Sequence, residues 1–596
     1  MAKSSRNEQS FPGRLRAGLG RFARSDQLVR AGLAVVVGAA AGVGAIAFRE
    51  FIALVQTAFF GFGSERVYSL AAALPWWHLV LAPTVGGLAI GLFVAYVLPG
   101  RRPRGVADVI EASALRDGRM SLKTGLGAAF VSAASIGVGA SVGREGPVVH
   151  LGASLGGWLA KRLHLSRSLS LTLLGCGIAS GIAASFNTPL AGVIFALEVV
   201  IGHYALNTFA PVVIAAVTGT IISRVYFGDF PAFVIPEQVI VSFLEFPAFA
   251  GLGVLSGIVA IVFIRTTFLV EEGVARTGLP RWLRPALGGL AVGLIALSFP
   301  QVLGVGYEAT DAALKAMFPF WLLVALLVAK LVATAVSLGC GFGGGVFSPS
   351  LVMGAMLGGA SGAVFTAIAP ELSSGLGAYS LVGMGAVAGA VLGAPISTIL
   401  IIFELTGDYA LTVAVMLAVV IATVMTRQIV GHSFFTLQLE RAGLSLEGGR
   451  EARLFREQRV GGVMRDDYET IPVSAGMAEV RQRLLTAAYG VLYVVEDGDR
   501  LAGRVVLGDL REVAFDTSRD HEIGVADVVR PEAPVLAAGD SLEAARELMA
   551  ASGKTQVAVV ETTENMRLVG ALHERDVITA HNRALLQARA EEKGEI

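Results

Sequence analysis

The sequence predicts an all-α polytopic membrane domain built from two repeated halves, followed by a soluble α/β tail. Three observations carry this. First, 54% of the 596 residues are hydrophobic and 16% are charged, with a mean hydropathy of +0.67; soluble globular chains hold about 25% charged residues. Second, the net charge of +0 hides an asymmetry, because 46 of the 94 charged residues lie from Leu444 onward, 27 acids and 19 bases. The tail is therefore acidic and the front basic. Third, blocks of Gly, Pro and Glu recur in the same order in the two halves of the front. A wholly soluble, disordered or disulfide-stapled chain is excluded. Cys176 and Cys340 lie in apolar, Gly-rich stretches and read as packing residues, not as a redox or metal pair.

Residues 1–26 are polar and basic, with no apolar stretch and small-residue cleavage site before the first long span. They read as a retained cytoplasmic segment, not a signal peptide. The membrane domain covers 27–443. Its apolar spans fall near 28–60, 76–98, 122–142, 148–162, 167–183, 189–201, 205–227, 246–270 and 283–299, then 319–338, 348–369, 379–392, 394–406 and 409–429. Many are shorter than the roughly 20 residues of a straight crossing. Helices that stop inside a membrane are tolerated where they are buried or line a cavity.

The repeat is explicit. Pro147, Gly152, Gly156 and Gly157 match Pro349, Gly354, Gly358 and Gly359 at identical spacing. Gly175, Gly177 and Gly181 match Gly383, Gly385 and Gly389, and Pro189 with Glu198 matches Pro395 with Glu404. Interrupted segments at corresponding positions of two halves point to a substrate site at the midplane. Spacing alone leaves open whether the repeat is parallel or inverted.

Residues 444–462 read as a polar linker. Residues 463–515 and 525–583 each read strand–helix–strand–strand–helix, a second and soluble repeat. Residues 584–596 are a charged end.

The strongest motif is Gly137-Val138-Gly139-Ala140-Ser141-Val142-Gly143-Arg144-Glu145-Gly146-Pro147. Pro147 suits a first helical turn, where no amide donor is needed. A helix start offers free N–H groups and the positive end of a dipole, and so binds anions. Glu145 sits at that start, where its carboxylate could occupy the anion's own site and leave when protonated. An ionisable residue at membrane depth is costly and functional by default; the plainer reading is a helix cap. Gly343-Gly344-Gly345-Val346-Phe347-Ser348-Pro349 opens a second helix in the same way. Two such starts facing one point suit chloride, which needs donors but no trapping charge. Pro103-Arg104-Gly105 opens a third helix, and Arg104 could equally be a surface arginine. Glu198 and Glu404 read as buried carboxylates that bond backbone amides across the repeat, and His150 as a packing histidine.

Gly143-Arg144-Glu145-Gly146-Pro147, Gly344-Gly345-Val346-Phe347-Ser348-Pro349 and Phe186-Asn187-Thr188-Pro189-Leu190-Ala191-Gly192 together resemble the CLC family of chloride channels and chloride/proton exchangers, over about residues 30–440. The tail resembles a pair of CBS domains. The resemblance implies an inverted-repeat fold of about 18 helices and a homodimer with one anion pathway per subunit. It implies a multi-pass protein of an inner or plasma membrane, with N-terminus and tail in the cytoplasm. Glu145 falls on the family's gating glutamate. Gly146, Val346, Phe347 and Ser348 fall where the anion is held, with Arg104, Gly105, Arg144 and Phe435 beside them. Three positions depart from the pattern. Arg104 stands at the family's central serine, Phe435 at its central tyrosine, and Val199 at the exchangers' inner proton-relay glutamate. His203, one turn on, is the nearest titratable substitute. In the tail, Asp509 and Asp576 fall where CBS domains meet a nucleotide ribose, which allows an adenine nucleotide; a packing module is the alternative.

The expected function is passive chloride conduction gated by Glu145. The alternatives are a proton-coupled exchanger of chloride or fluoride and, more distantly, a CBS-regulated cation transporter. A cation path would want clustered carboxylates, whereas Glu145, Glu198 and Glu404 sit on separate helices. No Ser/His/Asp set, metal spacing or phosphate loop suggests an enzyme. Neither a metal, a required cofactor nor a nucleic-acid partner is expected.

Overall fold

The computed structural model describes residues 26–444, 454–510 and 523–593, apart from 203, 205, 230–232, 234, 236, 237, 239 and 532. The expected N-terminal segment, His203 and the closing helix of the first tail repeat thus lie outside the described residues. The chain divides into two compact units, Met1–Ser445 and Leu446–Ile596.

The first unit is helical. Its first half runs α1 (Asp26–Phe60), α2 (Val67–Ala71), α3 (Trp76–Tyr96), α4 (Val106–Leu115), α5 (Leu122–Gly137), α6 (Glu145–Arg162), α7 (Arg167–Phe186), α8 (Pro189–Phe195) and α9 (Leu206–Phe227). The second half runs α10 (Phe246–Arg276), α11 (Arg284–Ser298), α12 (Tyr307–Leu314), α13 (Phe320–Gly339), α14 (Phe347–Ile368), α15 (Gly375–Leu392), α16 (Pro395–Thr406), α17 (Tyr409–Val430) and α18 (Phe434–Arg441). Among the described residues these are 18 helices, the number expected. Nine helical spans among the described residues are long and apolar enough to cross a bilayer.

Local chemistry sets the breaks. Pro189 and Pro395 each occupy a first helical position, where their missing N–H costs nothing. Left-handed Gly393 and Gly407 end α15 and α16, and the Asp408 carboxylate caps α17 by accepting from the Leu411 N–H at 2.8 Å.

The repeated glycines are crossing points. A Cβ on Gly152 would stand 2.1 Å from the Gly177 carbonyl oxygen, and one on Gly177 1.9 Å from that of Gly152. Gly354 and Gly383 make the same mutual approach, at 2.3 and 2.4 Å. Helices α6/α7 and α14/α15 thus touch backbone to backbone, as small residues allow in lipid. The matched glutamates are equally reciprocal. Glu404 accepts from the Leu190 and Ala191 N–H groups at the start of α8, at 2.9 and 2.8 Å. Glu198 accepts from Ile396 and Ser397 at the start of α16, at 3.0 and 2.8 Å. The expected cross-repeat bonds are present, and their mutual pattern is that of a two-fold relation between halves.

In the second unit β1 (Glu469–Pro472), β2 (Val491–Glu496) and β3 (Arg500–Val506) form one sheet, and β4 (Val535–Ala537), β5 (Gln556–Val560) and β6 (Leu568–His573) another. In each, the first pair is parallel and the second antiparallel. The first and second strands of each sheet are joined through a helix, α19 (Met477–Thr486) and α21 (Leu542–Ser552), and the short α20 (Val525–Val528) precedes β4. Tyr493 and Leu501 of one sheet share a core with Ala558, Val560 and Ala571 of the other. Two expected boundaries move. Phe455 and Val460, assigned to the linker, are buried in the core of the second repeat, and so is Ala584. Helix α22 (Glu574–Lys593) therefore runs well past 583, because Ala580 and Ala584 continue its buried stripe.

Candidate functional site

The two Gly-rich loops are paired. The Gly143 N–H donates to the Gly345 carbonyl at 2.7 Å, and the Gly345 N–H to that of Gly143 at 2.8 Å. Ser337 accepts from the Ser141 N–H at 3.1 Å, and Ser135 from the Gly343 N–H at 3.0 Å. These bonds fix the starts of α6 and α14 side by side. The first amides of each helix have no partner within it, and both positive dipole ends meet there.

Glu145, 1% exposed, lies at this junction. The Tyr307 hydroxyl, on the first residue of α12, donates to its Oε1 at 2.6 Å. The Ser348 hydroxyl donates to its Oε2. A small cavity is lined by Glu145, Gly146, Val346, Phe347, Phe435 and Val106. Its walls are aromatic: Phe186 and Phe195 pack on Phe347 at 5.2 and 6.4 Å. Glu145, Gly146, Val346, Phe347 and Phe435 thus line one cavity. Ser348 joins them through its hydroxyl bond to Glu145.

On one side of Glu145 an outer pocket is lined by Tyr307, Arg144, Glu65 and Arg49. Arg144 donates to Glu65 at 2.6 Å, lies 4.5 Å over the Tyr307 ring and comes within 3.9 Å of Glu145. Arg49 pairs with the same Glu65 at 3.0 Å. Arg144, expected beside the anion, thus lines the outer approach, with its charge already paired.

On the other side a wider cleft reaches Gly146, Val346 and Phe435 from a mouth lined by Arg104 and Gly105. The Gly105 N–H donates to Asp108 at 2.9 Å and so starts α4. Arg104, 3.7 Å from Asp108, stands in this cleft. Val106, not Arg104, lines the cavity of Glu145. Arg104, read as standing at the family's central serine, thus lines the cleft and not the cavity of Glu145. Gln438 of α18 also lines this cleft.

Val199 lies in a π-helical turn, Ala196–Ile201, that extends α8. Such turns often accompany functional sites. His150 is buried with neither ring nitrogen bonded. Both cysteines are free and buried. Four contributors escaped the sequence reading: Tyr307, Ser348 as a donor to Glu145, Glu65 and Lys330. Lys330, 1% exposed, donates from Nζ to the carbonyls of Val302 and Gly304 at 3.0 and 2.9 Å. It thereby holds the turn that delivers Tyr307. The run Gly304-Val305-Gly306-Tyr307 was the available signal for the tyrosine; Glu65 had none.

In the tail, Arg465 grips Asp576 through two bonds, at 2.6 and 2.7 Å. These bonds hold the Asp576 carboxyl below its ordinary range. Burial pushes the neighbouring His573 down as well. The Asp509 side chain lies outside the described residues.

Two helix starts side by side, a buried carboxylate at their junction and an approach from each side lie within an integral, multi-pass membrane protein. The chain belongs to the CLC family: the profile for voltage gated chloride channels matches residues 86–427, and the CBS domain profile matches 460–516 and 525–583. A ClcB-like protein of Ralstonia nicotianae is 37% identical over 414 residues, 69% of this chain and 96% of that one. The voltage-gated ClC-type chloride channel ClcB of Escherichia coli O81 is 31% identical over 410 residues, 68% of this chain and 97% of that one. The solved structure of a slow cyanobacterial Cl−/H+ antiporter shares the fold, with a TM-score of 0.61 and 22% identity over 69% of this chain and 97% of that one.

Proposed function

We propose that the chain conducts chloride passively, with Glu145 as the gate. Chloride would enter past Arg144 and Tyr307, be stripped of water at the amides that open α6 and α14, and leave through the cleft at Phe435 and Arg104. In the conformation described, Tyr307 and Ser348 hold the Glu145 carboxylate, and on this reading it takes the place that the anion would occupy. Protonation would remove the charge that competes with chloride and weaken both hydroxyl bonds, since charge-assisted bonds are roughly twice as strong as neutral ones. The side chain could then leave.

The observation that carries conduction over exchange is Val199. A proton path to Glu145 from the cleft side needs a titratable group, and that position is an apolar residue in the π-helical turn. Phe435 also offers no hydroxyl to close the inner side. Exchange is the second reading, supported by the shared fold of the cyanobacterial antiporter. Simultaneous recording of chloride efflux and proton uptake in proteoliposomes tests the choice. Conduction gives chloride movement with no uphill proton movement; a fixed chloride-to-proton ratio would establish exchange.

The same reading makes the protein a homodimer with a pathway in each subunit. It assigns the basic N-terminus and the tail to the cytoplasmic side, following the positive-inside bias. Adenine-nucleotide binding in the tail would require Asp576 to exchange Arg465 for a ribose.

A further inference from the structure

We infer that the wide cleft reaching Phe435 binds a small multivalent anion of the phosphate type, held by Arg101, Arg104, Arg281 and Arg284. The inference rests on the reading above only in taking this cleft as the inner mouth of the pathway. Two turns build it, one following α3 and one preceding α11. Their helices cross at backbone contact: a Cβ on Gly91 would lie 2.0 Å from the Trp282 carbonyl oxygen, and one on Gly87 2.3 Å from that of Pro285. The crossing brings Arg101, Arg102 and Arg104 of the first turn into one cleft with Arg281 and Arg284 of the second. Arg101 and Arg281 also share a smaller pocket beside it.

The charges in this cleft are not balanced. Asp108 takes Arg102 at 2.7 Å and reaches Arg104 only at 3.7 Å. The Nε of Arg104 is buried without a partner. Arg284 spends its Nε on the Leu279 carbonyl at 3.0 Å. Among the described residues, Arg101 and Arg281 form no ion pair, and Glu271 is the one carboxylate in the lining. The outer approach is built the opposite way, with Glu65 answering both Arg49 and Arg144. Guanidinium groups turned into one cleft repel each other unless an anion answers them. Their planar forks match the several oxygens of a phosphate or pyrophosphate, which accept paired N–H bonds. Chloride, a single centre, uses such forks poorly. A multivalent anion seated here would stand between the cytoplasmic solution and Phe435, and would oppose chloride entry from that side.

The test uses the full chain in two arms. In planar bilayers of phosphatidylcholine, pyrophosphate is added to each face in turn while chloride current is recorded. Block from one face only is expected, and the variant R101Q/R281Q should need about tenfold more pyrophosphate to halve its own unblocked current, as loss of charge-assisted contacts implies. Calorimetry of pyrophosphate with the detergent-purified protein reads binding without any transport, so its outcome is independent of the conduction reading. The same loss of about tenfold is expected there. If soluble pyrophosphate has no effect but phosphatidic acid in the bilayer lowers the current of the wild type and not of R101Q/R281Q, the phosphate is that of a lipid headgroup. Equal binding by wild type and variant, or neither heat nor block with either phosphate source, overturns the inference.

Discussion

Gly143-Arg144-Glu145-Gly146-Pro147 and Gly345-Val346-Phe347-Ser348-Pro349 open α6 and α14 on one frame, each joined to the other through Gly143 and Gly345. Around them the halves agree bond for bond: Ser135 with Ser337, Gly152 with Gly354, Glu198 with Glu404. At the centre they part. Glu145 corresponds to Phe347, Arg144 to Val346 and Gly146 to Ser348, and Ser348 donates to Glu145 across the junction. The continuous α16 of one half is matched in the other by α8 and a π-helical turn that carries Val199. The shared residues build the frame that aims two dipoles at one point. The unshared ones place a single titratable carboxylate there, on one side only.

The comparison predicts that substitutions on the shared frame abolish the fold, while those on the unshared set retune transport. The largest effect is expected at the crossings. Gly177→Leu, which must push its side chain into the Gly152 carbonyl, should leave no folded protein in size-exclusion chromatography. Gly354 and Gly383 should be as intolerant; a well-folded Gly383→Leu variant would mean that the two crossings are not equivalent.

Lys330→Met should come next. It removes a buried amine and leaves the Val302 and Gly304 carbonyls without their donor. Truncating one partner of such an arrangement costs about 1–3 kcal/mol per buried unsatisfied group. The turn before Tyr307 should loosen, so the flux rises and its pH dependence weakens. If Lys330 acts through Tyr307, adding Tyr307→Phe should change the flux little further.

Tyr307→Phe alone should shift the gate. A hydrogen bond to a charged group contributes about 1.5–3 kcal/mol, so the balance between seated and released Glu145 should move about tenfold or more toward release. Chloride efflux at neutral pH should rise accordingly, with melting temperature nearly unchanged. An unaltered efflux would mean that the hydroxyl does not hold the gate.

The smallest effects belong to the tail, which lies outside the repeat comparison and should not disturb it. His573 is pushed down by burial. As pH falls below the ordinary value near 6.5, the unfolded tail gains a proton that the folded one refuses, and stability is lost. Asp576 is held low by Arg465; its contribution is present above about pH 3.9 and is lost below it as the pH falls through the lowered value. Limited proteolysis of the tail in the full chain should therefore accelerate in two steps on acidification. His573→Gln should remove the first step without altering chloride flux.

The frame was legible in the sequence because its signals are local. Proline at a first helical turn, glycine at a crossing and glutamate at a helix start each declare a backbone need within a few residues, and repetition doubled every signal. Glu145 could be named on that ground, whereas Gly146, Val346 and Phe347 were named from the resemblance to the CLC family. The partners of the gate could not. Tyr307 stands 162 positions from Glu145 and Ser348 stands 203, and nothing near either residue says which carboxylate it will meet. Arg104 lines the cleft and not the cavity of Glu145 for a related reason: position along the chain fixes its backbone but not how far a long side chain reaches. Lys330 reads as one charge in an apolar helix until the Val302–Gly304 carbonyls turn toward it.

The central claim is that one carboxylate, unmatched in the second half, closes an anion site set between two repeated helix starts. Chloride efflux from proteoliposomes, measured against pH for wild type and Glu145→Gln, tests it most directly. Glutamine keeps the size of the side chain but cannot ionise. Wild-type efflux should rise as pH falls, while the variant should be fast at every pH and nearly flat. A variant that keeps the wild-type pH profile would contradict the claim and move the gate elsewhere.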